Sequence, residues 1–173
     1  MEYSYKYPHP AVTADCVTFC FDGARLCVLL IERGREPYKG MWAFPGGFVE
    51  IDESADDGVL RELREETGLT GVTARQFHTF SSPGRDPRER VISVAYFAIV
   101  KQQQVTGGDD AARAAWFPLD EIPPLAFDHG EMLRMAVAEL RRCIHFEPIA
   151  AEFLPGEFTP EELQRVHEAI LGK

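Results

Sequence analysis

The chain has 173 residues, 45% of them hydrophobic, and a formal net charge of −10. That length and apolar content suffice for one domain with a full core and room for an appendage. The acidic balance excludes a general binder of phosphate backbones, whose affinity comes from clustered Lys and Arg, and no run reaches the ~18 apolar residues of a membrane span.

The opening "MEYSYKYPHP" lacks the basic and then apolar build of a secretory signal, so the cytoplasm is the expected location. Its aromatics suit packing on a partner or over the chain's own sheet. "AVTADCVTFCF" alternates as a strand, "DGAR" supplies a turn, and "LCVLLIER" follows as a second, more buried strand, which predicts a hairpin. Cys16 and Cys20 share one parity on the first of these. With Cys27 and Cys143 they lack the spacing of zinc ligands and read as buried reduced thiols. "MWAFPGGFVE" reads as extended chain broken by Pro45, Gly46 and Gly47, residues suited to a bend or a close backbone approach.

A helix should begin near Ser54, which with Asp57 resembles a capping box, and should end at Gly68. Ala55, Val59 and Leu63, with Leu60 beside them, form its apolar stripe. Gly58 costs about 1 kcal/mol relative to Ala inside a helix and reads as room for a neighbouring backbone. Strands follow at "GVTARQFHTF" and "VISVAYFAIV", separated by the charged loop "SSPGRDPRER", with a short one at "AAWFP". "HGEMLRMAVAELRRCI" carries a helical pattern, Pro148 interrupts the chain, and a last helix runs from about Pro160 to Leu171 with Thr159 as its N-cap. This order predicts an α/β (α+β) fold, a mixed sheet flanked by helices.

Glu62, Glu65 and Glu66 are three and four residues apart, so their carboxylates share a helix face and repel one another. A solvated acidic face is the ordinary explanation. The glycine turn just upstream, however, lets backbone carbonyls approach the same place, and clustered oxygens of this kind bind a hard cation such as Mg²⁺.

Gly47, five residues, Glu53, seven residues, then Arg61, Glu62, Leu63, any residue, Glu65, Glu66, any residue, Gly68 and Leu69 match the Nudix box at every defined position. The chain thus resembles the Nudix family, and the resemblance implies the Nudix fold, a mixed sheet sandwiched between helices. It implies that Glu62, Glu65 and Glu66 bind divalent metal with the Gly46 carbonyl as a further ligand. Glu62 is alternatively the base that deprotonates water. Arg61 and Glu53 resemble the family's structural pair, whose value is to orient the ligands. The chemistry implied is Mg²⁺-dependent hydrolysis of a nucleoside diphosphate linked to another group, with Mn²⁺ as a plausible substitute.

"LLIERGREPYKGMWAFPGGFV", "SSPGRDPRERVISVAYFAIV", "AAWFPLDEIPPLAFDHGEML" and "FEPIAAEFLPGEFTPEELQRVHEAILGK" extend the resemblance to the bacterial branch of ADP-ribose pyrophosphatases and Nudix-related transcriptional regulators. This implies a Nudix domain over 1–146 and an extension over 147–173 that resembles the start of a winged helix. As an enzyme the protein would split ADP-ribose into AMP and ribose 5-phosphate; as a regulator domain it would sense such a ligand. The complete box favours the enzyme, as do the six acidic residues that outnumber Arg165 and Lys173 from Phe146 onward, where a DNA reader needs a basic helix. Nucleic acid is a partner only if a DNA-binding domain lies outside this chain. A homodimer is expected from the resemblance.

Arg85, Arg88 and Arg90 could grip substrate phosphate or form a solvated turn. Trp116 and Phe117 are candidates to stack on a base, or core or dimer residues, and Trp42 reads as packing beneath the glycine turn. Asp128 and His129 could supply a further base or metal ligand, or simply cap a helix.

Overall fold

The computed structural model describes residues 4–108 and 111–173, so the first three residues of "MEYSYKYPHP" lie outside it. Strand β1 (Ala11–Phe21) is the spine of the sheet. One edge pairs in parallel with β6 (Val91–Ile99) from Ala11↔Val91 to Phe19↔Ile99. The other edge is shared. Phe19 to Phe21 pair with β2 (Leu26–Arg33), while Thr13 to Asp15 pair with β4 (Gly46–Phe48), both antiparallel. The predicted hairpin is therefore real but short, and the carboxylate of Asp22 closes it by accepting from the N–H groups of Ala24 and Arg25.

Between the two partners of β1 the chain passes through β3 (Trp42–Ala43), and Cys16 N–H bonds the Pro45 carbonyl at 2.9 Å. This seats the glycine turn directly beside Asp15. β5 (Ala74–Phe80) closes the sheet next to β6. β7 (Ala111–Pro118) starts before the predicted "AAWFP", because β2 offers it partners from Cys27 back to Arg33.

The period of two on β1 divides the core. Cys16 joins Leu29 and Tyr96 under α1 (Ala55–Thr67), and Cys20 on the same parity meets Cys27 and Trp116. All four cysteines are free and buried. Val17, Phe19 and Phe21 face the other way, toward α2 (His129–Cys143) and α3 (Pro160–Leu171). The sheet is thus sandwiched between helices.

Ser54 caps α1 by accepting from Asp57 N–H, and Gly68 ends it in the left-handed conformation. Val59 and Leu63 are each 1% exposed, and burying such side chains stabilises by about 1.5–3 kcal/mol apiece. Leu60 departs from the predicted stripe. It turns outward, 37% exposed, because the sheet meets only the Val59 and Leu63 side of the helix. Ile149, Phe153, Val166 and Ile170, from the 3₁₀ turn Ile149–Phe153 and from α3, join the same cluster as Phe19 and Leu140. Thr159 and Glu162 form a full capping box on α3.

Candidate functional site

A cleft of about 770 Å³ opens where β1, the glycine turn, α1 and the loop before β6 converge. Its acidic wall starts from close approach. A side chain at Gly46 would strike the Ala14 carbonyl and the Asp15 carboxylate at 2.5 Å, and one at Gly47 would overlap the Glu62 carboxylate. Gly58 serves the same end. A Cβ there would come within 2.8 Å of the Glu53 carboxylate, a side chain where the sequence suggested a backbone.

Arg61 organises this wall. Its guanidinium bonds both Glu53 oxygens at 3.0 and 2.7 Å, the Phe48 carbonyl at 3.1 Å, Glu62 at 2.8 Å and Glu65 at 3.1 Å. The turn and the Glu62 and Glu65 carboxylates of the helix are therefore fixed by one planar fork. The Arg61 hydrogen bonds, helped by Glu50 N–H, pull the Glu53 pKa down to about 2.

Glu66 sits deeper and accepts the Gly46 N–H at 2.9 Å. Burial pushes its pKa up to about 8 despite that bond, with Glu62 and Asp15 adding repulsion. Burial also raises Glu62. Arg33 only partly offsets this burial and repulsion at Glu66, and hard oxygen donors of this kind fit Mg²⁺ or Mn²⁺. Among the described residues no three acidic, His or Cys side chains already close on one point.

The opposite wall is aromatic and cationic. Ala126 N–H bonds the Trp42 carbonyl at 2.8 Å, which brings the start of α2 alongside the glycine turn. Phe127, a non-glycine residue at φ 52, packs edge-on against Tyr38 at 4.8 Å, and Arg33 lies over its ring at 4.8 Å. The Arg88 guanidinium lies 5.1 Å from the Phe48 ring and 5.9 Å from that of Phe127, chelated by Asp86 at 3.0 and 2.7 Å. Arg85 is buried in the wall and bidentate to Asp128 at 2.9 and 2.7 Å. Asp128 accordingly makes no side-chain cap on α2.

The structure thus gathers Arg61, Glu62, Glu65, Glu66, Gly46, Arg85, Arg88 and His129 around one cleft, while Glu53 and Asp128 do not line it and act as the partners of Arg61 and Arg85. Arg90 points elsewhere, its guanidinium 3.4 Å from the Ser82 carbonyl. Trp116 and Phe117 do not line the cleft. Trp116 packs among the residues under α1 and donates to the Gln103 carbonyl at 2.8 Å, while Phe117 meets Trp42 edge-on at 4.7 Å on the far face of the sheet. Sequence reasoning missed Asp15, Arg33, Phe48, Asp86 and Phe127. Asp15 did carry a signal, a charge within an apolar strand, where an ionised group needs a purpose or a partner.

Residues 9–136 match the family model described as NUDIX domain. The chain is 41% identical over 128 residues, 74% of its length and 73% of the relative's, to an ADP-ribose pyrophosphatase of Methanocaldococcus jannaschii. It is 34% identical over 176 residues to an ADPR responsive transcriptional repressor, NtrR, of Acinetobacter baylyi, covering 96% of this chain and 68% of the repressor. The solved structure of a MutT/nudix family protein from Enterococcus faecalis superposes with a TM-score of 0.92 at 33% identity, over 99% of this chain and 78% of that one.

Proposed function

We propose the function from one premise: this chain belongs to the NUDIX domain family. It is a Nudix pyrophosphohydrolase, and its preferred substrate is ADP-ribose, split into AMP and ribose 5-phosphate. The observation that carries this reading is the acidic wall, where Arg61 fixes Glu53, Glu62 and Glu65 around a glycine turn that also donates to Glu66. Burial that pushes the Glu66 pKa up to about 8 in the cleft supports a functional site over a solvated acidic face.

Glu62, Glu65 and Glu66, with the Gly46 carbonyl, are the residues that would hold Mg²⁺. Bound there, the ion would neutralise the diphosphate and lower the pKa of a coordinated water. The chain's own contribution is positioning. Arg61 and Glu53 keep the turn and helix in register, so the carboxylates are placed before substrate arrives. Glu62, with its pKa raised by burial, is also a stronger base near neutral pH than an ordinary carboxylate. Phe48 and Phe127 replace Trp116 and Phe117 as the rings for a planar base, with Arg33 and Arg88 available to the phosphates. Name and coverage of the pyrophosphatase relative support the substrate.

A sensing role is the second reading, favoured by the similarity to the repressor, which spans 96% of this chain, C-terminal extension included. A homodimer and a cytoplasmic setting accompany either reading. The deciding experiment incubates the purified protein and Mg²⁺ with ADP-ribose, NADH, nucleoside triphosphates and sugar nucleotides and follows products by chromatography. AMP plus ribose 5-phosphate, abolished by chelator, supports the enzyme. Tight ADP-ribose binding without turnover supports the sensor, and preference for a triphosphate overturns the substrate.

A further inference from the structure

His129 opens α2, is 3% exposed, and is held on every side. Its Nδ1 accepts the Phe44 N–H at 3.0 Å, and its ring stacks on the Phe44 ring with centroids 5.5 Å apart and planes at 21°. An imidazole nitrogen that accepts a hydrogen bond carries no proton, so the neutral ring bears its hydrogen on Nε2. That nitrogen lies 3.9 Å from Asp15 Oδ1, and burial favours the neutral ring by lowering the His129 pKa. Asp15 is fixed in turn at Oδ2 by the hydroxyls of Thr13 and Ser93.

In this form neither ring nitrogen offers a lone pair to a metal ion or a water molecule. The expectation that His129 acts as a base or a metal ligand therefore gives way to another role. The amide it holds, Phe44, is two residues from the amide that Glu66 holds, Gly46, and between them the Pro45 carbonyl is bonded by Cys16 N–H. Asp15 packs against that same Gly46.

We propose that His129 is a positioning residue of the Nudix site. As the neutral Nε2–H tautomer it clamps the Phe44 to Gly47 turn against Asp15 and thereby sets Gly46 against Glu66. Asp15 is the second jaw of this clamp. Loss of the Nδ1 acceptor leaves the Phe44 amide buried without a partner and lets the turn shift where the carboxylates converge.

The proposal rests on the Nudix reading of the cleft, and two arms of the test separate them. In the first, on purified protein from about pH 6 to 8, long-range ¹H–¹⁵N correlations of His129 show Nε2 protonated and Nδ1 bare. The Phe44 amide exchanges at least about tenfold faster in His129→Leu, which keeps volume without an acceptor, than in His129→Asn, whose amide oxygen stands near the Nδ1 position. In the second arm, with Mg²⁺ and ADP-ribose, His129→Leu lowers kcat about 10- to 100-fold with KM within about threefold, and His129→Asn restores kcat to within about threefold of wild type. If His129→Leu fails to fold, the wild-type tautomer and the exchange rate and kcat of His129→Asn decide. A protonated Nδ1 at neutral pH, equal Phe44 exchange in the two variants, or a His129→Asn as slow as His129→Leu overturns the proposal. If wild type turns over no nucleotide, the functional reading fails, while the tautomer and the exchange rates still decide the positioning role.

Discussion

Glu53, Arg61, Glu62 and Glu65 are near neighbours in the chain and meet through a single guanidinium, whereas Asp15, Arg88 and the Phe127 and His129 pair come from three separate segments. The first group builds the acidic wall of the cleft, Arg88 and Phe127 stand on the wall facing it, and Asp15 and His129 lie against the glycine turn between them. One turn and one helix are enough to place the acidic residues, because an i, i+4 relation and a capped start fix where each carboxylate lies. The facing wall exists only because β6 runs parallel to β1 and α2 starts beside the glycine turn. On the proposed function, chemistry falls to the wall that local structure builds and recognition to the wall that tertiary structure builds.

Removing one carboxylate from the acidic wall should give the largest effect. Glu66→Gln is expected to lower turnover by at least the roughly 100-fold that loss of an outer partner of a metal ligand can cost, measured as kcat with saturating Mg²⁺. The same variant sharpens the electrostatic side. The Glu66 pKa is raised in the fold from its ordinary 4.5 to about 8, so the native state binds the extra proton. Its contribution to stability is intact below about pH 4.5 and is lost as pH rises toward about 8. Metal-free wild type should therefore lose more melting temperature between pH 5 and pH 8 than Glu66→Gln does, and a parallel decline in both would remove Glu66 as the cause.

Each wall has its own arginine clamp, and breaking them should cost stability in different currencies of function. Arg61→Ala is expected to lower both melting temperature and kcat, because it releases Glu53, the Phe48 carbonyl and two helix carboxylates together. Arg85→Ala leaves the half-buried Asp128 without its partner, at a cost of about 1–3 kcal/mol by denaturant titration. Its kinetic effect should appear mainly in KM, since the loop it anchors carries Arg88. A fall in kcat for Arg85→Ala as large as that for Arg61→Ala would dissolve the distinction between the walls.

Phe127→Ala should raise the KM for ADP-ribose about tenfold with kcat little changed, in line with the roughly 1–3 kcal/mol that a stacked base can contribute. Trp116→Phe is the smallest case. It loses the hydrogen bond to the Gln103 carbonyl, worth about 1 kcal/mol of stability, and should leave KM within about twofold. A large KM effect at Trp116 with none at Phe127 would return base stacking to the strand where the sequence alone had placed it.

What the sequence by itself determined is whatever depends on short separations. The hairpin turn at Asp22, the Ser54 and Thr159 caps, the Gly68 stop and the shared face of Glu62, Glu65 and Glu66 all follow from preferences within one element, and all lie where those preferences put them. The alternation on β1 likewise assigned Cys16 and Cys20 to one face. Tertiary structure decided the rest. Leu60 faces water because the sheet covers only one side of α1, and Gly58 faces Glu53 because the loop folds back over the helix. Trp116 and Phe117 sit on opposite faces of β7 because successive strand residues must, so neither reaches the cleft. Asp15 and His129 meet across the glycine turn although nothing in either segment points to the other. No local preference encodes that meeting, since the energy that enforces it belongs to sheet pairing and to the burial of α2 against the core.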